Sequence, residues 1–365
     1  MYKYFLWGLL SWVSLHTQGQ SYTKAETQVR AAIQNYIDGR NTPEVALLQK
    51  AFHPKADLRY IKQDTLRIWQ GSDYITGAAN GSKQDCRARI VYVDVQGSAA
   101  QAKVEIEYPT KIFYDYINLL KEGDEWKIAV KTFSAASTKK KKILFVVTSH
   151  EQMGNTGKKT GLHLGEVSHA YKPLAEAGYV IDFVSPEGGS TFMYGTSMND
   201  SINVWFMKDA SAYYKLTHAY TPQEVQAADY QAIYFVGGHG TMWDLPYNTD
   251  LQALTSTIYE QGGVVAAVCH GPSGLLNVKL NDGSYLVKGK KLTAFTNEEE
   301  KAAKQDKNVP FLLESALEAR EAVFVGADNW QENVVVDGRL VTGQNPASAH
   351  KMALEIIKLD QLNSK

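Results

Sequence analysis

Cysteine, histidine, glycine and proline stand together at positions 269–272, directly after the apolar run Gly263-Val264-Val265-Ala266-Ala267-Val268. A thiolate is a strong nucleophile, and an adjacent imidazole can manage its proton. The apolar run predicts a strand buried on both faces. The glycine and proline that follow predict a sharp turn, with a helix starting there. A nucleophile at such an elbow sits on a tight, strained turn above the C-terminal edge of a sheet. That edge is where open α/β sheets bind ligands. A helix N-terminus behind the sulfur would favour thiolate over thiol. The alternative for Cys269 is a buried structural cysteine. His163 and Glu166 lie three apart on an expected helix, a spacing that can share a ligand, but two residues are too few to define a metal centre. No metal and no phosphate-binding glycine loop is expected.

Three more non-alternating apolar runs resemble the one before Cys269: Ile143–Thr148, Val180–Val184 and Ala232–Val236. Together they predict a parallel sheet. Helical patterns separate them, at about 160–177, 251–261 and 348–357. The alternation predicts a doubly wound, flavodoxin-like α/β domain over residues 142–362. Thr221-Pro222-Gln223-Glu224 has the cap, proline and glutamate of a helix start. Asn345-Pro346 repeats the cap-then-proline logic.

Residues 22–137 form a different pattern. Val29, Ala32, Ile33 and Tyr36 mark one helix, and Val45, Leu47, Leu48 and Phe52 a second, expected to stop at His53 before Pro54. Ala102–Tyr108 and Trp126–Lys131 then alternate as strands do. A smaller α+β, cone-shaped domain is expected here. Tyr60, Trp69, Tyr114 and Asp115 are candidates to line a pocket in it, but read first as core and edge residues, since aromatics usually carry packing. Lys139–Lys142 reads as a solvated linker at 138–141.

The first twenty residues carry Lys3, then an apolar stretch from Phe5 to Leu15, then a polar end at His16–Gln20. The stretch is short for a permanent span and reads as a secretory signal peptide, cleaved near Gly19. The expected protein is exported, periplasmic or secreted, with no permanent membrane span. The alternative is an uncleaved anchor. Across 365 residues the hydrophobic share is 44% and the net charge −1. That composition argues against a disordered chain and against a nucleic-acid binder. Cys86 and Cys269 are the two cysteines, too few for a disulfide framework, and both are expected as free thiols.

Two resemblances sharpen this reading. "AFHPKADLRYI", "YIDGRN" and "FYDYINLLKEGDEWKIAVKTF" resemble the nuclear-transport-factor-2-like (SnoaL-like) fold, in the branch named Putative lumazine-binding. The resemblance implies a sheet whose cone holds a small ligand in many members. "TGLHLGE", "GGHGTMWDLP", "AVCHGP", "AFTNEEE" and "DGRLVTGQNPASAH" together resemble the ThiJ/PfpI superfamily (class I glutamine amidotransferase-like), in its glyoxalase III and heat-shock-chaperone branch. That resemblance implies Cys269 as nucleophile, His270 as its histidine partner and Glu300 as the acidic third member, with Glu298 and Glu299 as neighbours able to take that place. It also implies that Glu166 approaches the sulfur, and that Gly238 and the His270 amide bind an oxyanion, with His239 alongside at the substrate or bracing the turn.

The implied reaction turns a 2-oxoaldehyde such as methylglyoxal into a 2-hydroxy acid with no cofactor. The partner is then a small aldehyde. A homodimer is one expected role for the N-terminal domain, beside restricting access or binding a product. Other readings on the same residues are a cysteine peptidase or amidase, and a holding chaperone using Trp205, Phe206, Tyr213 and Tyr214 as an apolar surface or lid. A glutamine amidotransferase fits less well, because His350 lacks a following proline and glutamate.

Overall fold

The computed structural model describes residues 22–83, 86–137 and 142–363. The expected signal segment, 1–20, and the expected linker, 138–141, lie outside the described residues.

Helix α1 (Lys24–Asn41) starts at Thr23, whose hydroxyl accepts the Glu26 N–H. It buries Val29, Ala32, Ile33, Tyr36 and Ile37, one apolar stripe at helical spacing. Helix α2 (Val45–Ala51) runs straight into strand β1 (Phe52–Lys62). The expected boundary at His53–Pro54 is therefore displaced: Pro54 lies within the strand. Pairing with the neighbouring strand slips between Phe52 and Asp57, and a proline without an N–H is tolerated at such a bulge. Next come β2 (Thr65–Gln70), α3 (Gly71–Ala79), β3 (Arg87–Gln96), β4 (Ala99–Tyr108), β5 (Lys111–Glu122) and β6 (Glu125–Ser137). The sheet order is β2-β1-β6-β5-β4-β3, antiparallel except for the β1–β6 pair.

Trp69 and Asp115 line a cavity of about 160 Å³ in this sheet. Asp115 pairs with Lys131 at 3.0 Å and accepts the Tyr36 hydroxyl at 2.6 Å. Tyr60 is not among the lining residues and stacks on Phe133 at 4.8 Å. Tyr114 precedes Asp115 on the same strand, so its side chain leaves on the opposite face.

The second sheet joins β7 (Lys142–Val146), β9 (Val180–Val184), β11 (Ala232–Phe235), β12 (Val264–Val268), β15 (Val334–Asp337) and β16 (Leu340–Gly343). Its order is β15-β16-β12-β11-β7-β9, parallel except for β15. Short pairs add β8 (Leu162–His163) with β10 (Met193–Tyr194), and β13 (Lys291–Leu292) with β14 (Val323–Phe324). Strands β7, β9, β11 and β12 are buried at every residue. Alternate residues serve two cores. Ile143, Phe145 and Tyr234 pack with α4 (Leu164–Glu176) and α11 (Ala349–Asn363). Leu144, Val146 and Phe235 pack with α8 (Thr249–Glu260) on the other face. The fold is thus doubly wound because both sheet faces are apolar and each finds a helical layer.

Three expectations change. The segment after Cys269 is a single 3₁₀ turn, Gly271–Leu275, so no α-helix N-terminus backs the sulfur. Thr221–Glu224 closes its capping box but makes one 3₁₀ turn only, ending at Val225 in an extended conformation. Phe206 lies fully buried on α5 (Ser201–Lys208), and Trp205 and Tyr213, on α5 and α6 (Ala210–Thr217), pack against the same core. Those residues fill the α4 side of the sheet rather than forming an apolar surface.

A buried charge network joins the two sheets. Asp182, on edge strand β9, accepts Arg89 of β3 at 2.9 Å, Lys142 at 3.0 Å and the Tyr230 hydroxyl at 3.0 Å, with Lys215 at 3.8 Å. Glu105 and Glu107 of β4 add acceptors for Lys215 and Lys142. Removing one member of a buried cluster strands the opposite charges. Asp182→Ala is expected to destabilise the chain by about 3–5 kcal/mol, read as a lower urea midpoint. A change below about 1 kcal/mol would mean the network is solvated like a surface pair.

Candidate active site

Cys269 follows the last residue of β12 and holds φ +58°, the left-handed region that L-residues rarely occupy. Its N–H donates to the Gly343 carbonyl at 2.8 Å, tying the elbow to β16. The strain aims the sulfur off the strand end toward three other segments. Two glycines make room. A Cβ on Gly237 would stand 2.5 Å from Glu166 Oε2 and 2.8 Å from Cys269 Cβ. Gly238 adopts φ +107°, and its N–H donates toward the Cys269 sulfur.

On one side of the sulfur, His270 Nδ1 lies 3.2 Å from Sγ. His270 Nε2 meets Glu300 Oε2 at 2.8 Å. A carboxylate only accepts, so Nε2 carries the proton and Nδ1 is left to accept the thiol proton. Glu300 Oε1 meets His239 Nε2, also at 2.8 Å. One carboxylate therefore orients two imidazoles, 4.1 Å apart ring to ring. These three side chains have the ligand types of a metal centre, but each is already satisfied by another member of the group.

On the other side, Glu166 enters from the first turn of α4 and is fully buried. Its Oε2 accepts the Gly237 N–H at 2.7 Å, and the carboxyl shares a hydrogen bond with the Cys269 thiol. Burial pushes the Glu166 carboxyl up to about 8, although the thiol and the Gly237 N–H pull it back. Burial also pushes the Cys269 thiol well up, and Glu166 adds to that. This corrects the expectation of a thiol acidified by a helix end: with Cys269 3% exposed and only a 3₁₀ turn behind it, desolvation wins. Burial, then His239, lowers His270 to about 4, against the pull of Glu300. Burial would raise Glu300, but the hydrogen bonds from His239 and His270 outweigh it and hold it near about 2. At neutral pH the site holds a thiol, a neutral Glu166, a neutral His270 and the Glu300 carboxylate.

The neighbouring acids play other parts. Thr296 caps α9 (Asn297–Ala302), and Glu299 completes the capping box. Glu299 Oε1 also accepts the Trp330 N–H and the Asn345 amide, each at 2.8 Å. Glu298 is exposed and pairs with Lys301. Helix phase thus turns only Glu300 toward the histidines. Activity is expected to be untouched in Glu298→Ala and to fall on the order of 10²-fold in Glu300→Gln. Glu299→Ala is expected to lower stability by about 1–3 kcal/mol through orphaned donors. Side-by-side kinetics and thermal melts of the three variants check the assignment. A silent Glu300→Gln would contradict it.

The structure brings Cys269, His270, Glu300, Glu166, Gly238 and His239 into one cluster. His239 is tied on two sides: its N–H donates to the Tyr194 hydroxyl at 3.2 Å and its ring to Glu300. It braces the site rather than presenting a free amide. Sequence reasoning missed Tyr194, whose pairing of β10 with β8 brings it over the cluster, and Phe295, whose ring lies 4.4 Å from that of His270. Phe295 had a local signal, since it opens the "FTNEEE" string; Tyr194 had none.

The domain is doubly wound, with a strand-end elbow at Cys269 and this cluster beside it. The DJ-1/PfpI family profile matches residues 159–359, and the chain belongs to that family. A second profile, Putative lumazine-binding, matches residues 24–134. The chain is similar to the glutathione-independent glyoxalase HSP31 of Saccharomyces cerevisiae, 37% identical over 60% of this chain and 97% of the relative. It is also similar to glyoxalase 3 of Candida albicans, 32% identical over 61% of this chain and 99% of the relative. Among solved structures, the 24 kDa Rapid Encystment Protein of Francisella tularensis is 37% identical with TM-score 0.59, covering 60% of this chain and 99% of that one. Glyoxalase III from Candida albicans is 30% identical with TM-score 0.54, covering 60% and 97%.

Proposed function

We propose that the protein is a glutathione-independent glyoxalase that converts 2-oxoaldehydes such as methylglyoxal to 2-hydroxy acids, with Cys269 as nucleophile. The observation that carries this reading is the sulfur's position between two different proton-handling groups, Glu166 on one side and His270–Glu300 on the other. The reaction needs both, because a proton must move between adjacent carbons and a thioester must then be hydrolysed. The kinship with proteins named as a glutathione-independent glyoxalase and as glyoxalase 3 supports it.

Cys269 and Glu166 titrate as a coupled pair, and the reactive form holds one proton between them. The sulfur adds to the aldehyde carbon, C1, as the C1–O1 π pair moves to O1. The Gly238 N–H faces the growing charge, and the shared proton passes from Glu166 to O1. Glu166, now a carboxylate, removes the C1 proton, and the electron pair flows through C1–C2 to the ketone oxygen O2. The O1 proton crosses to O2 on the cis-enediolate. The C1 carbonyl re-forms as C2 takes its proton from Glu166, leaving a 2-hydroxy thioester. His270, oriented by Glu300, deprotonates water for attack at C1, and the S–C1 bond breaks with the proton returned to sulfur. Substrate atoms plus one water equal the hydroxy acid, and no redox partner is consumed.

Proton NMR of methylglyoxal with the purified full-length protein, without glutathione, tests this. Lactate should accumulate as methylglyoxal disappears. Loss of methylglyoxal with no lactate would reject the reading.

A further inference from the structure

Two buried polar atoms in the site have no hydrogen-bond partner among the described residues: Glu166 Oε1 and His163 Nδ1. They face each other at 3.9 Å, too far for a direct hydrogen bond. An orphaned buried group is unfavourable, and two orphans side by side suit one oxygen placed between them. His163 is well placed for such a ligand. It ends β8, one residue before α4, and its N–H donates to the Gly237 carbonyl at 3.2 Å. That bond fixes it to the strand-end glycines beside the sulfur. Its ring meets Tyr194 edge-on at 5.2 Å, and the Gly195 backbone packs so close that a Cβ there would stand 2.4 Å from Nε2. The ring is therefore clamped with Nδ1 turned inward while the remainder is partly exposed.

Resting on the glyoxalase reading, we infer that His163 is a further catalytic residue: its Nδ1–H binds the ketone oxygen O2 of the 2-oxoaldehyde and stabilises the enediolate formed there. Of the carboxyl oxygens of Glu166, Oε2 is engaged by Gly237, so Oε1 is the one free to move the proton between C1 and C2. An oxygen on C2 within reach of Oε1 is then within reach of Nδ1. The acid-base groups facing the His163 ring are Glu166, Tyr194, His239 and His169. Burial, then His169 and His239, lowers His163 to about 4, so it acts as a neutral donor and no imidazolium is required. The assignment also sets specificity: the site is built for a carbonyl on the carbon next to the aldehyde, and a simple aldehyde would leave His163 and Oε1 unpaired.

The test compares His163→Leu and His163→Gln with wild type in the full chain, carrying Cys86→Ser so that Cys269 is the only thiol. Methylglyoxal turnover is expected to fall on the order of 10²-fold in kcat for His163→Leu, the usual effect of one lost oxyanion donor, with His163→Gln recovering part of it. The alkylation rate of Cys269 by iodoacetamide should not change in either variant, because that reaction involves no second oxygen. Equal loss of turnover and alkylation would mean that His163 only supports the elbow and would overturn the inference. Unchanged kcat in His163→Leu would also overturn it. Wild-type protein that alkylates at Cys269 but makes no lactate rejects the glyoxalase reading itself, an outcome distinct from both.

Discussion

Cys269→Ala is expected to reduce methylglyoxal turnover by about 10⁴-fold or more, the scale seen when a nucleophile that acts as part of a unit is removed. Every bond-making step in the proposed reaction passes through the sulfur, and no other described side chain stands where it does. The change removes one atom from a site that already tolerates φ +58°, so the elbow should keep its shape. The Cys269 N–H bond to Gly343 is a backbone bond and survives. Thermal stability should therefore stay near the wild-type value while activity is lost. Steady-state kinetics paired with a melting curve separates the two. Residual turnover within about tenfold of wild type would show that the sulfur is not the nucleophile.

Glu166→Gln is expected to lower kcat by about 10³-fold, within the usual range for a lost general base. Glutamine keeps the oxygen that accepts the Gly237 N–H, so the packing of α4 against the strand ends is preserved. What disappears is the proton. Wild-type kcat/KM should rise with pH toward about 8, as the Cys269–Glu166 pair loses its first proton, and in the variant that rise should shift, because the thiol then ionises without its partner. Stability moves the opposite way. The folded-state value of Glu166 is raised from 4.5 to about 8, so the native state binds the extra proton across that window. The stability of wild type should fall as pH rises through it, and Glu166→Gln should resist that fall. Urea denaturation of both proteins at pH 5 and pH 8 checks the sign. A larger loss of stability with pH in the variant would contradict the burial argument.

Much of this architecture could be read in the chain before any coordinates. The four non-alternating runs were expected to be parallel strands, and β7, β9, β11 and β12 are buried throughout, because each face of the sheet meets a helix layer. Cys269 was expected at a strand-end elbow, and its positive φ shows the turn that Gly271 and Pro272 signal. What could not be read was set by burial and by distant segments. Cap and proline signals near Pro222 and Pro272 indicate a turn but not its length, and tertiary packing stops both after one 3₁₀ turn. The choice among Glu298, Glu299 and Glu300 depends on helix phase, which Thr296 sets by capping. The thiol's environment depends on Glu166, 103 residues earlier in the chain, and on how little water reaches either group. The resemblance set His239 either at the substrate or bracing the turn, and its bonds to Glu300 and Tyr194 make it a brace.

The most direct test of the account is to look for the bond itself. Intact Glu166→Gln protein mixed with methylglyoxal and sprayed under native conditions should show by mass spectrometry an adduct of one methylglyoxal that is missing when Cys269→Ala is added to the same protein. That variant should form the sulfur–carbon bond and stall before the proton moves. The same adduct in the Cys269→Ala protein, or none in protein that still consumes methylglyoxal, would contradict the account, because the carbon would then be reacting without the sulfur.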